Sequence, residues 1–279
     1  MRKMISVIMY LLHFFYTINA DSFEDHGFDL LGKIKIGNKD NELLYVIQSP
    51  PFQYVSGFAL DKENTLYVLD TGNNRIAVFD RKLKWKKNVN LKEMGIPDGI
   101  FITDIKIDLL NNIYLFAQED GIFKANDEFE ILYWIQGDLL FERIRDHANS
   151  YIVKDGCVAM KTNSLPVNNN NVVLIDDQGE LVRDGHARYK KMTAMFNLRL
   201  LDAGSLAGID RYDNYYIAAS LSDGDGFFMM IYDTNDRIIK KIPLPDLNLV
   251  LMRVAPDGDI YARVLRPDGV YFYRMRSTR

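Results

Sequence analysis

Cysteine is nearly absent: Cys157 is the only one in 279 residues. No internal disulfide can form, so the core must hold the fold. Histidine is almost as scarce, and His26, His147 and His186 show no paired spacing that would preform a metal site. Positive charge is not in excess either. The chain carries 34 Lys+Arg against 38 Asp+Glu, a net charge of −4. That balance argues against a dedicated nucleic-acid binder, which needs a basic stripe. Nor does any apolar run reach the roughly 20 residues that a membrane-spanning helix requires.

The longest such run is "MISVIMYLLHFFYTI", 15 residues behind Arg2 and Lys3 and shortly before Ala20. A positive start, an apolar stretch of this length and a small residue at its end match a secretory signal peptide. The expected organisation is therefore a signal peptide over 1–20 and one domain over 21–279. Export to the periplasm or the cell exterior follows, with an uncleaved N-terminal membrane anchor as the alternative. Cleavage would remove Arg2 and Lys3 and no acid, taking the net charge to −6. Six arginines crowd the last 27 residues, Arg253, Arg263, Arg266, Arg274, Arg276 and Arg279. Spaced along strands, they read as solvated outer faces.

What the chain does have is strand-forming residues. Tyr and Phe number 16 each, beside abundant Ile and Val, and 48% of the residues are apolar. One pattern recurs: apolar–Asp, a polar turn, then an apolar–aromatic strand. It appears as "ALDKENTLYVLD" (59–70), "KIDLLNNIYLFA" (106–117), "RIRDHANSYIVK" (143–154), "GIDRYDNYYIAA" (208–219) and "RVAPDGDIYARV" (253–264). Aligning Asp61, Asp108, Asp146, Asp210 and Ala255 gives spacings of 47, 38, 64 and 45 residues. Such periods, rich in strand signals, indicate propeller blades. A third strand follows in each unit ("RIAVFD", "GIFKAND", "NVVLIDD", "FFMMIYD", "VYFYRM"), and a fourth segment leads away. About 45 residues thus make a four-stranded antiparallel sheet. Leu66, Val68, Ile76 and Val78 are expected to supply one buried face, and Pro243 and Pro245 to lie in a link. The recurring aspartates are expected to cap their turns by accepting backbone N–H bonds.

"LYVLDTGNNRIAVFD" resembles the NHL-repeat family of β-propellers through Asp70, Gly72, Asn73, Asn74, Arg75, Ile76 and Phe79. The resemblance is strong in this unit and decays in the others. It implies an all-β propeller of six blades. Five units are visible, and a strand from residues 30–48 is placed to complete the last one and close the ring.

Chemistry is sparse. "DAGSLAG" (202–208) departs from a G-x-S-x-G elbow at Ala203. Asp223 and Asp225 in "LSDGDGF" are what any long turn uses, short of a calcium loop. The histidine-rich zinc site of NHL-type amidating lyases has no counterpart. Sugar-lactone hydrolases, which share the propeller, bind one axial divalent metal through Glu, Asn and Asp. That resemblance gives the alternative of a metal-dependent hydrolase, with Asp104, Glu142 and Arg143 near the channel. The main expectation is a binding module without catalytic residues, metal or cofactor, for a protein or envelope component. Its recognition surface would be the face carrying the links between units. Phe52, Tyr54, Asp98, Phe101, Asp104, Phe141, Glu142 and Arg143 are the candidates there, aromatics within a polar rim.

Overall fold

The computed structural model describes residues 21–44, 57–117, 121–136, 151–154, 157–161, 172–175, 178–179, 181–182, 204–220, 227–235, 237–245, 250–266 and 268–277. A short helix, α1 (Asp21–Asp25), leads into strand β1 (Asp29–Ile34). The first consecutive sheet holds β2 (Phe58–Leu60), β3 (Leu66–Asp70), β4 (Arg75–Phe79) and β5 (Trp85–Asn90). The second holds β6 (Ile102–Ile107), β7 (Ile113–Ala117), β8 (Gly121–Ala125) and β9 (Ile131–Gln136). The third holds β10 (Tyr151–Lys154), β11 (Cys157–Lys161), β12 (Val172–Ile175) and β13 (Leu181–Val182). The fourth holds β14 (Gly204–Ile209), β15 (Tyr215–Ser220), β16 (Phe227–Tyr232) and β17 (Ile238–Leu244).

The last sheet joins the two ends of the chain. Its consecutive strands are β18 (Val250–Val254), β19 (Ile260–Arg266) and β20 (Gly269–Met275), and β1 pairs antiparallel with β20 as the fourth. Four sheets are thus local and one is composite. The described residues form five four-stranded sheets rather than the six blades implied by family resemblance. Among the described residues the N-terminal segment founds no sheet of its own; β1 is the fourth strand of the last sheet.

Packing against its neighbours buries both faces of the first sheet's inner strands. Leu66, Val68, Ala77 and Phe79 meet Tyr261, Val270 and Phe272 of the last sheet. Leu69, Ile76 and Val78 meet Ile105, Leu115 and Phe123 of the second. The four residues expected on one face therefore lie on two, since Leu66 and Val68 pair with Phe79 and Ala77 while Tyr67 and Leu69 pair with Val78 and Ile76. A strand between two layers has no solvent face, so alternation gives way to a continuous apolar run. At the other end of the chain, Phe23 of α1 is fully buried and stacks on Tyr273 at 4.7 Å.

The turns explain the recurring aspartates. Asp61 Oδ1 accepts the N–H groups of Glu63 and Thr65, and Oδ2 accepts the Tyr67 hydroxyl. Asp108 does the same for Leu110, Asn112 and Tyr114, and Asp210 for Tyr212, Asn214 and Tyr216. The outer hairpins repeat the device, with Asp80, Asn126 and Asp233 capping β4–β5, β8–β9 and β16–β17. In the inner and outer hairpins alike, the residue three after the cap takes positive φ, at Asn64, Leu83, Asn111, Phe129 and Asp213, as does Gly258 three after the equivalent Ala255. All these caps lie at one end of the sheets, here termed the turn face. The links between sheets occupy the opposite end, the link face.

Two readings of the sequence are corrected here. Pro243 sits inside β17, not in a link; β17 is an outer strand, where a missing N–H costs no ladder bond. In the third unit, Tyr151–Lys154 was expected as the second strand and is the first of its sheet. Asp146, aligned as its turn cap, lies outside the described residues.

Candidate functional site: the central cavity

The inner strands of all five sheets meet around one cavity of about 80 Å³. Ala59 and Leu60 of β2, Lys106 and Ile107 of β6, Val153 of β10, Leu206 to Ile209 of β14, and Arg253 and Val254 of β18 line it. A smaller space of about 40 Å³ continues toward the turn face past Asp108, Asp210 and Pro256. The alignment of the repeats accounts for the lining. Two positions before the capping residue stand Ala59, Lys106, Gly208 and Arg253. Small residues in two units leave room for long cationic side chains from two others. Gly208 is further required by packing, because a Cβ there would come within 2.9 Å of the Val254 Cβ.

Arg253 is 6% exposed and binds across three sheets. Its terminal nitrogen donates to both carboxylate oxygens of Asp104, at 2.7 and 3.0 Å. Its Nε donates to the Phe58 carbonyl at 3.1 Å. Asp104 is 1% exposed and rests against Gly57, where any Cβ would collide with its carboxylate. Burial, with the charge of Arg253 beside it, holds the Lys106 ammonium down at about 7, and Asp104 opposes both. Arg263, on β19 and 6% exposed, is likewise pushed down by burial and by Arg253. Two of the six C-terminal arginines are therefore interior, contrary to the outer-face expectation. A strand position facing a propeller axis is hidden although it lies at the end of its sheet.

Of the eight residues expected on the recognition surface, three are described. Asp98 is exposed and pairs with Lys92 at 2.8 Å, and Phe101 is 36% exposed; both lie on the link face. Asp104 belongs instead to the interior pair with Arg253. Phe52, Tyr54, Phe141, Glu142 and Arg143 lie outside the described residues. Sequence reading missed Lys106, Arg253 and Arg263, although the repeat alignment already placed the first two at one equivalent position. Among the described residues, no cluster of three His, Cys, Asp or Glu side chains is arranged to hold a metal ion. None of their helices is long and apolar enough to cross a membrane.

The motif LYVLDTGNNRIAVFD forms a clamp. Asp70, fully buried, accepts bonds from the Leu44 N–H, Asn73 and Arg75. Arg75 then donates to the carbonyls of Lys39 and Glu42. Burial raises the Asp70 pKa more than these bonds lower it. Residues 52–79, which contain Asp70, Asn73 and Arg75, match the NHL repeat. This chain is a β-propeller carrying an NHL repeat. No curated protein matches it by sequence. Among solved structures, a member of the DUF4221 family from Bacteroides vulgatus is 10% identical and covers 90% of this chain and 98% of its own, with a TM-score of 0.50. A virginiamycin B lyase from Staphylococcus aureus is 9% identical over 90% of both chains, with a TM-score of 0.42. A gluconolactonase from Xanthomonas campestris is 9% identical over 79% of this chain and 85% of its own, with a TM-score of 0.38. At 10% identity the likeness to the first of these is one of fold alone.

Proposed function

We propose that this protein is an exported propeller, its ring closed where β1 joins β20, that binds a protein or envelope component through its link face. The carrying observation is Phe101, an aromatic left 36% exposed where the chain enters β6, beside the solvent-exposed Lys92–Asp98 pair. Phe227, equally exposed, stands at the same end of the fourth sheet. Aromatic anchors within a charged rim are the composition of recognition surfaces. Asp98, Phe101 and, by sequence, Phe52, Tyr54, Phe141, Glu142 and Arg143 form that surface.

The alternative of an axial divalent metal and hydrolysis finds little support in the cavity. Lys106 and Arg253 line it, and Asp104 is engaged by Arg253. A divalent cation placed there would meet like charge in a low-dielectric space.

The test is a photo-crosslinking residue at position 101, with position 110 on the turn face as control. It is made in protein recovered from the cells that express it, and the N-terminus is read by mass spectrometry. The expected result is one saturable crosslinked partner from position 101 only, on a chain beginning at Asp21. Equal crosslinking from both positions, or from neither, contradicts the binding face; a retained N-terminus contradicts cleavage.

A further inference from the structure

We infer that a cleft between the fourth and last sheets, opening at the turn face, is a binding site for a small aromatic carboxylate. The fold supplies its own template for the ring. In two outer hairpins the residue three after the cap reaches back into the gap shared with the preceding sheet. Phe129, in the β8–β9 turn, is 6% exposed and packs into the core common to the first and second sheets. Its ring lies 6.1 Å from that of Tyr67, and the Lys87 ammonium sits over it at 4.4 Å. Leu83, in the β4–β5 turn, packs likewise on the core common to the last and first sheets and lies close against Gly32 of β1.

The last sheet has no outer hairpin to play this part. Its outer strands β20 and β1 come from opposite ends of the sequence, so no turn joins them. Among the described residues, the gap toward the fourth sheet therefore has no plug of this kind, and a cavity of about 370 Å³ opens there. That volume falls within the range of small-molecule pockets, about 300 to 1,000 Å³.

The residues that grip Phe129 have counterparts in its wall. Tyr216 stands six after Asp210, as Tyr67 stands six after Asp61. Lys240 pairs with Ile231, two before the outer cap Asp233, as Lys87 pairs with Val78, two before Asp80. Both Tyr216 and Lys240 line the cavity, over an apolar floor of Ile231, Ile242, Ile260 and Met275. A ring entering from solvent would find the surfaces that hold Phe129 in the earlier gap, an aromatic neighbour and an ammonium over its face.

Charge selects the rest of the ligand. Asp210 and Asp257 are in the wall, but their oxygens are engaged. Asp210 accepts four hydrogen bonds from its own turn, Asn214 and Tyr216, and Asp257 accepts from the Asp259 N–H and from Asn64 of the first sheet. The cations, Lys240 and Arg276, are both exposed. Arg276 makes only a long approach to Asp29, 3.9 Å between two largely exposed side chains, and a guanidinium carries five donors in a fork that fits a carboxylate. Lys240 keeps contacts of its own in the fold, and its part here is to lie over the ring. The cleft is at the opposite end of the sheets from the link face, so either assignment can fail without the other.

The experiment is a fluorescence titration of the purified protein with 2-naphthoate at pH 7 and low, fixed ionic strength. Parallel titrations use 2-naphthalenemethanol and 2-naphthylmethylammonium, which keep the ring and change the charge. Saturable binding of one naphthoate per chain is expected, with weaker binding of the alcohol and the weakest of the ammonium. Lys240→Gln and Arg276→Gln alter exposed positions, and cooperative melting confirms that both fold. Each should weaken naphthoate binding roughly threefold to tenfold, the loss of one cation–π or charge-assisted contact at the surface. No saturable binding of naphthoate by the wild type overturns the inference. So does a preference for the ammonium, or unchanged affinity in either folded variant.

Discussion

Ala255 occupies the position held by Asp61, Asp108 and Asp210 in the other aligned units, and the consequence is visible six residues on. Tyr67, Tyr114 and Tyr216 each donate to the capping carboxylate of their unit. The equivalent Tyr261 hydroxyl is buried and finds no carboxylate of its own turn to donate to; Arg274 lies beside it, and burial raises its pKa. Restoring the carboxylate should satisfy it. Ala255→Asp is expected to stabilise the protein by about 1 kcal/mol, the worth of one net hydrogen bond. A melting temperature that rises in the variant checks this; a fall would show that the core cannot admit a carboxylate there. Lys106 gives a second expectation at this scale. Its ammonium titrates near 7 in the folded state and near 10.5 in the unfolded one. Between those values the unfolded chain holds a proton that the folded chain has released, so stability rises with pH across that window. Burial is the main cause; Arg253 adds to it and Asp104 opposes it. Denaturant titrations from pH 7 to 10 should show a steeper rise in wild type than in Lys106→Met.

At the scale of elements, the NHL motif is a device for holding the N-terminal segment against the first consecutive sheet. Asp70 and Arg75 face each other across β3 and β4 and reach Leu44, Lys39 and Glu42. Gly72 is needed there because a Cβ would strike the Leu44 backbone. Arg75→Ala leaves a fully buried carboxylate uncompensated, at a cost of about 3 kcal/mol. Hydrogen exchange should show the Gly37, Leu43 and Leu44 amides losing protection well ahead of β3 and β4. Uniform loss would mean that the clamp holds the whole sheet rather than the segment. The hairpins were legible in the sequence because their caps are local: an Asp, a polar turn and a Tyr six residues on fix one another. Partition of side chains between faces was not legible, because both faces of β3 and β4 are buried and periodicity carries no signal. The third unit lost its register for a related reason, having no second marker near Asp146.

At the scale of the molecule, burial of α1 and pairing of β1 with β20 fasten the N-terminal segment to the C-terminal sheet. The inner strands then converge on a cavity whose chemistry no single stretch reveals. Lys106, Arg253 and Asp104 are separated by up to 149 residues and gain meaning only when the second and last sheets meet. This is why sequence reading found the four-stranded repeat, though not the number of sheets, and looked for function among local motifs. It also separates the two functional readings most sharply. A binding propeller with a cation-lined centre needs no metal, whereas an axial hydrolase cannot work without one. The decisive measurement is therefore the divalent-metal content of the purified protein, taken with its melting temperature before and after chelation. The expected result is less than stoichiometric metal and an unchanged melting temperature. One tightly held divalent ion per chain, with a lower melting temperature once it is removed, would contradict the account.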